Sequence, residues 1–137
     1  MQNKGRILAI DYGEKRVGLA LSDADQIIAF PRQTLSNDES LFVRIKDLVA
    51  TEEIVMIIVG LPLHADHTES YQTRLTRTFA DELAKIVDVE VMMMDEKFTT
   101  FEARERIAGA DPKQVNTDKD QLSAMILLEE YLANQVR

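Results

Sequence analysis

The sequence contains no cysteine and no tryptophan among its 137 residues. Without cysteine the chain forms no disulfide, offers no thiol nucleophile and builds no cysteine metal cluster, which fits a reducing compartment. Its apolar runs fall short of the roughly 20 residues that a membrane-spanning helix requires. These absences predict a soluble, cytoplasmic protein without a membrane partner.

Positive charge is also scarce, because 16 lysines and arginines face 24 aspartates and glutamates, for a formal net charge of −8. Such a balance argues against a protein that simply coats nucleic acid. It leaves room for an enzyme whose acidic residues hold metal ions. With 45% apolar residues, residues 1–137 are long enough to form a single domain with a core of its own.

The stretch 6–23 predicts two strands joined by a tight turn. The run Ile7–Ile10 is uniformly apolar, as in a strand covered on both faces, and it ends at Asp11. After the turn at Gly13, the return strand places larger and smaller side chains on opposite faces: Val17, Leu19 and Leu21 on one, Gly18, Ala20 and Ser22 on the other. The small-residue face leaves room for another group to approach.

Asp11 is the first candidate for chemistry. A charged group at the end of a buried strand is costly unless it is paired or binds a cation. The alternative is an aspartate that only caps the turn.

Later segments alternate between helical and strand patterns. A third, edge strand is expected over Gln26–Phe30, with Pro31 behind it, and central strands are expected over Ile54–Val59 and Val89–Met94. Helices are expected after a Ser36/Glu39 capping box, from Thr68, after a Thr99/Glu102 box, and over 118–134. The apolar stripe of the second helix comprises Tyr71, Leu75, Phe79, Leu83, Ile86 and Val87.

This order predicts an α/β fold with a mixed five-stranded sheet and helices on both faces. The first three strands are antiparallel, while helical crossovers make the later strands parallel to the first. The carboxyl ends of the parallel strands share one edge, where open α/β proteins form their sites. Asp11 and Glu96 fall at that edge, and Asp120 shares the inward face of the last helix with Ala124 and Leu127. Three converging carboxylates suit a divalent metal ion.

Four motifs in order give the chain a resemblance to a known family: Ile10–Ala20, Val59–Leu63, Asp95–Ala103 and Asp120–Ala124. The pattern resembles the YqgF family, also called RuvX, of ribonuclease H-like Holliday-junction resolvases and pre-16S ribosomal RNA nucleases. The resemblance implies a ribonuclease H-like fold and metal-dependent phosphodiester hydrolysis. It also implies that Asp11, Glu96 and Asp120 are the catalytic, metal-binding carboxylates.

Three positions depart from the family pattern. The loop after the fourth strand reads Pro62-Leu-His64-Ala-Asp-His67, Lys97 stands where arginine is usual, and Thr117 replaces a further carboxylate of related resolvases. His64 is kept as a candidate substrate contact. His64 and His67 alone supply too few ligands for a structural zinc site, which takes four.

The expected mechanism is hydrolysis with two metal ions about 3.5 to 4 Å apart. Asp11 would bridge the ions, while Glu96 and Asp120 would each complete one coordination sphere. Mg²⁺ is the expected ion, with Mn²⁺ as the alternative. Arg16 and Lys97 are candidates for binding substrate phosphates, although surface pairing with neighbouring acids explains them equally well.

Other hypotheses remain open at this point. The substrate is a precursor of 16S ribosomal RNA or a four-way DNA junction, and the protein acts as a monomer or a weak homodimer. Arg74, Arg77, Arg104, Arg106, Lys113 and Lys119 would form a basic rim for such a substrate. A silent RNA-binding assembly factor would explain the acidic charge. An ATP-dependent phosphotransferase would share the Asp11-Tyr-Gly13 motif but needs two such domains.

Overall fold

The computed structural model describes residues 4–63, 69–96 and 119–135. In these ranges the elements follow in the order β1 Arg6–Tyr12, β2 Arg16–Ser22, β3 Ala29–Ser36, α1 Leu41–Thr51, β4 Ile54–Pro62, α2 Tyr71–Ile86, β5 Glu90–Glu96 and α3 Lys119–Ala133. None of the helices in the described ranges is long and apolar enough to cross a membrane.

The five strands form one sheet in the order β3-β2-β1-β4-β5. β1 pairs antiparallel with β2, and β2 antiparallel with β3, whereas β1, β4 and β5 run parallel. The predicted mixed sheet is therefore confirmed. Its topology brings the carboxyl ends of β1, β4 and β5 to a common edge.

Alternating side chains of the central strands belong to two hydrophobic cores, one on each side of the sheet. On one side, Leu8 and Ile10 pack in a cluster with buried side chains of α1 and α2. On the other side, Ile7 and Ala9 pack against α3 through Leu127 and its neighbours. The expected helices on both faces are present. Asp11 has the same alternation as Ile7 and Ala9, which assigns it to the side that α3 covers.

The edge strand lies later in the chain than the sequence predicts. Instead of Gln26–Phe30 it spans Ala29–Ser36, because the preceding residues form a turn in which Asp23 Oδ1 accepts from the amides of Ile27 and Ile28 at 2.7 and 2.8 Å. Pro31 lies inside the strand, where the pairing with β2 shifts register. An edge strand accommodates this proline because one side of its backbone has no ladder to complete.

Two predicted helix starts are wrong. Ser36 ends β3, and α1 begins at Leu41 after Ser40, whose amide donates to Asp38 Oδ1 at 2.8 Å. α2 begins at Tyr71 rather than from Thr68. Its cap is Ser70, whose hydroxyl accepts from the Thr73 amide while the Thr73 hydroxyl accepts from the Ser70 amide. This reciprocal pair satisfies two amides that the first helical turn leaves open.

The predicted helix at Thr99 and Glu102 lies outside the described residues. β4 and β5 run past their predicted ends as far as Pro62 and Glu96, which pair with each other. The last helix, α3, agrees with the expected range within one residue at each end. These strand extensions place Glu96 in the sheet itself rather than in a loop after it.

Candidate active site

Asp11 lies near the carboxyl end of β1 and is only partly accessible to solvent. Burial raises the pKa of its carboxyl group from 3.8 to about 6, and the negative charge of Asp120 adds to the increase. A hydrogen bond with Glu96 and the positive charge of Lys119 act in the opposite direction. Asp11 therefore remains a carboxylate at neutral pH, at an appreciable cost in free energy.

Glu96 ends β5 and reaches across the neighbouring strand. A Cβ atom added to Gly60 would lie 3.1 Å from Glu96 Oε2 and 3.1 Å from Leu127 Cδ2, so this side chain occupies the space that Gly60 leaves beneath α3. Burial raises the pKa of Glu96 well above its ordinary value, and the nearby charge of Asp11 raises it further. Glu96 donates a hydrogen bond to the Asp11 carboxylate, which lowers the pKa of Asp11 and raises that of Glu96.

Asp120 reaches the same edge from the first turn of α3. Its backbone crosses directly over Gly18, where an added Cβ atom would lie only 2.1 Å from the Asp120 carbonyl oxygen. Gly18 is the cross-strand partner of Asp11. The small-residue face of β2 thus admits α3, and the close approach brings Asp120 towards Asp11.

Arg16 forms an ion pair with Asp120, with 3.1 Å between Nε and Oδ2. The Arg16 side chain is 61% exposed, whereas that of Asp120 is 20% exposed. The pair joins the start of β2 to the start of α3, and most of the Arg16 side chain is in solvent. Arg16 therefore contacts one of the predicted carboxylates, not a neighbouring acid in the sequence.

The structure brings Asp11 and Glu96 into contact and places Asp120 close enough to act on both electrostatically. Across 4–63, 69–96 and 119–135, no group of three or more acidic, cysteine or histidine side chains has the arrangement of a metal site. The Asp11 and Glu96 carboxyl groups are hydrogen-bonded to each other, and Asp120 pairs with Arg16. Lys97 and His64, the other predicted substrate contacts, lie outside the described residues, as do His67 and Thr117.

One cation beside this site was not singled out from the sequence. Lys15 lines an open depression together with Gly13, Glu14, Arg16 and Asp120. The turn that carries Lys15 is held by Asn37, which donates to the Gly13 carbonyl at 2.7 Å from its side chain and to the Lys15 carbonyl at 2.9 Å from its amide. The two adjacent basic residues at 15–16 are visible in the sequence and could have indicated this cation. No local pattern predicts that Asn37 holds the turn.

The two raised pKa values predict that the metal-free protein loses stability as the pH rises. Both carboxyl groups bind their protons more tightly in the folded than in the unfolded chain, so their penalty is absent below about pH 4, and the Asp11 part grows between about pH 4 and pH 6 and stays constant above that. For Asp11 alone, a rise from 3.8 to about 6 corresponds to about 3 kcal/mol at most. Thermal melts in chelator should show a lower Tm at pH 7 than at pH 4.5.

The double variant Asp11→Asn, Glu96→Gln is the control for this pH dependence. It keeps the shapes of both side chains and removes both titrations, so most of the difference between the two pH values should disappear. An unchanged difference would assign the effect to the overall negative charge of the chain.

Comparison with known proteins finds relatives over nearly the whole chain. Residues 5–134 match the model of the RuvX family, which is described as Holliday junction resolvase. A protein of Maridesulfovibrio salexigens is 35% identical over 93% of this chain and 98% of its own length. One of a Sulfurihydrogenibium species is 36% identical over 93% of this chain and 89% of its own length. Both carry the name "Putative pre-16S rRNA nuclease".

Solved structures of resolvases share the fold at low sequence identity. The fowlpox virus resolvase, solved with Holliday junction DNA, superposes with a TM-score of 0.60 at 12% identity and covers 96% of this chain and 99% of its own. RuvC of T. thermophilus, also solved with a Holliday junction, gives a TM-score of 0.56 at 12% identity over 93% of both chains. The fold is the ribonuclease H-like fold of these resolvases, and by its sequence this chain belongs to the RuvX family.

Proposed function

We infer that this protein is a metal-dependent nuclease whose substrate is a precursor of 16S ribosomal RNA. The observation that carries this proposal is that Asp11, Glu96 and Asp120 lie at one sheet edge, with a hydrogen bond between Asp11 and Glu96. Two relatives match nearly the whole chain at 35% and 36% identity, and both are named as pre-16S ribosomal RNA nucleases. Their names favour RNA as the substrate class.

The donor set fits a hard divalent cation. All three side chains offer carboxylate oxygens, which Mg²⁺ and Mn²⁺ prefer. Burial raises the pKa of both Asp11 and Glu96, so a bound cation would relieve the cost of keeping these two carboxylates charged. Asp11, Glu96 and Asp120 would hold the ion. When bound, it supplies Lewis-acid stabilisation to the scissile phosphate and a water of lowered pKa.

The chain's own residues have distinct tasks in this proposal. Glu96 must lose its proton before it can act as a ligand, and burial opposes this loss because it raises the pKa of Glu96. Arg16 holds Asp120 at the edge and, with its exposed guanidinium, faces the substrate beside Lys15. The two cations counter the overall charge of −8 at the place where a phosphate backbone would approach.

Arg16→Gln should lower cleavage about 10- to 100-fold, because the loss of a group that orients a metal ligand typically costs that much. The melting temperature should change little, since an exposed ion pair contributes under about 1 kcal/mol. Rates and thermal melts measured on the same preparations check both statements. Arg32→Gln, which removes the exposed pair with Glu52, is the matched control, and equal activity of the two variants would make Arg16 an ordinary surface residue.

The test of the proposed function is cleavage of an end-labelled precursor fragment of 16S ribosomal RNA in Mg²⁺, in Mn²⁺ and in chelator. Cleavage that needs the ion and starts at a defined position is the expected result. Folded, metal-binding protein that cuts no RNA would contradict the proposal.

A second candidate function is cleavage of four-way DNA junctions. The family description and the fold shared with junction-bound resolvases favour it. A labelled four-way junction in the same assay separates the two candidates. Symmetric nicking of the junction without cleavage of the RNA would establish the second one.

A further inference from the structure

Tyr71 is an aromatic side chain that the fold leaves in solvent. The helical period assigns it to the apolar stripe of α2, yet its exposure is 63%. Thr73 and Thr76 occupy fully buried positions near the start of the helix instead. The ring of Tyr12, by contrast, stacks on Phe79 at 4.3 Å between centroids. The core therefore does not require the Tyr71 ring.

The first turn of α2 is fixed to the edge that carries the carboxylates. Gln72 donates from Nε2 to the carbonyl of Tyr12 at 3.1 Å, directly after Asp11. The Thr73 hydroxyl donates to the carbonyl of Pro62, and Pro62 is the cross-strand partner of Glu96. Both contacts leave Tyr71 at the helix start beside the ends of β1 and β4.

Arg74 adds a cation to this exposed ring. Its guanidinium carbon lies 6.0 Å from the centroid of Tyr71, within the range of a cation–π contact. Arg77, one turn further on, is engaged by Glu69 at 2.7 Å. In the ranges that the structure describes, no acidic side chain forms an ion pair with Arg74.

We propose that Tyr71 and Arg74 form a binding subsite for an unpaired nucleotide of the substrate strand, at the sheet edge that carries the carboxylates and on the side that α2 covers. The base stacks on the Tyr71 ring, and the Arg74 guanidinium donates to the adjacent phosphate. Exposed aromatic rings next to cations bind single strands in this way, because every base has a stacking face. The inference deepens the proposed nuclease function and rests on it.

A consequence is selectivity for a frayed or single-stranded segment. A base inside a duplex already stacks on both neighbours, so it must leave the helix before it can contact Tyr71. The subsite therefore favours substrate with an unpaired base beside the scissile bond over continuous duplex.

The test measures binding in chelator, so it does not depend on cleavage. The probes are a short single-stranded RNA carrying one 2-aminopurine, the same sequence as DNA, and both as duplexes. Tyr71→Phe should keep the affinity and the quenching of 2-aminopurine, whereas Tyr71→Leu should weaken single-strand binding about tenfold and abolish the quenching. Arg74→Gln should weaken binding and reduce the salt dependence by about one phosphate contact.

Phe30→Leu is the control, because it removes an exposed aromatic ring from β3 opposite Leu21, away from the end where Gly18 faces Asp11. It should bind as the wild type does. If Tyr71→Leu and the wild type showed equal affinity and quenching, the subsite proposal would be wrong. The nuclease proposal would be unaffected, because the cleavage assay tests it separately. A wild-type protein that binds none of the probes and cuts no nucleic acid would overturn the nuclease proposal as well. Comparison of the RNA and DNA probes shows which of the two nucleic acids the subsite prefers.

Discussion

Asp11→Asn should abolish phosphodiester cleavage while the protein stays folded. Asn has the same shape as Asp and its amide oxygen still accepts from Glu96, but it lacks the charge that a metal ligand needs at this position. We expect a loss of at least about a thousandfold, which is about 4 kcal/mol of transition-state stabilisation. The variant should also be more stable than wild type at pH 8 without metal, because it removes a buried carboxylate whose pKa is raised to about 6.

Activity assays and thermal melts on one preparation check both effects. Asp23→Asn is the matched control: Asp23 accepts from two turn amides, and these hydrogen bonds hold its pKa below the ordinary value. The same isosteric change there should leave cleavage intact and slightly lower the stability. If Asp11→Asn cleaved at the wild-type rate, Asp11 would not belong to the catalytic centre.

Gly18→Ala should damage the site without touching a carboxylate. Its new methyl group would lie 2.1 Å from the Asp120 carbonyl oxygen and 2.9 Å from Asp120 Cβ. The Asp120 backbone cannot rotate away as a flexible side chain can, so α3 must move away from β2. Overpacking in a core costs about 1–3 kcal/mol, and occasionally more, and we expect the upper part of that range together with the loss of cleavage.

Gly60→Ala is the comparison for this prediction. Its added Cβ would meet only side-chain atoms of Glu96 and Leu127, each at 3.1 Å, and these ends can yield. Denaturant unfolding should therefore rank Gly18→Ala as the more destabilised variant by at least about 1 kcal/mol. The reverse order would mean that α3 does not depend on the close contact at Gly18.

The strand end at Asp11 was predictable because its signals are local. A run of apolar residues ends in one carboxylate, and the alternation of large and small residues in β2 already shows which face admits a helix. The contact between Arg16 and Asp120 joins residues 104 positions apart, and no local pattern carries it. Likewise, the hydrogen bond between Asp11 and Glu96 and the raised pKa of both depend on the distance between two strand ends and on the burial of both.

Helix starts and the exposure of Tyr71 were not predictable for a different reason. Ser36 and Thr68 have the residue types of a cap, but so do Ser40 and Ser70, and tertiary contacts select among them. At the start of α2, Thr73 turns inward because its hydroxyl can reach the Pro62 carbonyl. Helical periodicity counts apolar residues only and therefore assigned the inward position to Tyr71.

The most direct measurement is a calorimetric titration of the wild-type protein with Mg²⁺ at pH 7. If Asp11 and Glu96 hold a cation, the wild type should bind Mg²⁺ with saturable heats, and Glu96→Gln should bind it more weakly because an amide replaces a carboxylate ligand. Unchanged binding by Glu96→Gln, or a wild-type protein that binds no Mg²⁺, would contradict a metal site at this pair of carboxyl groups.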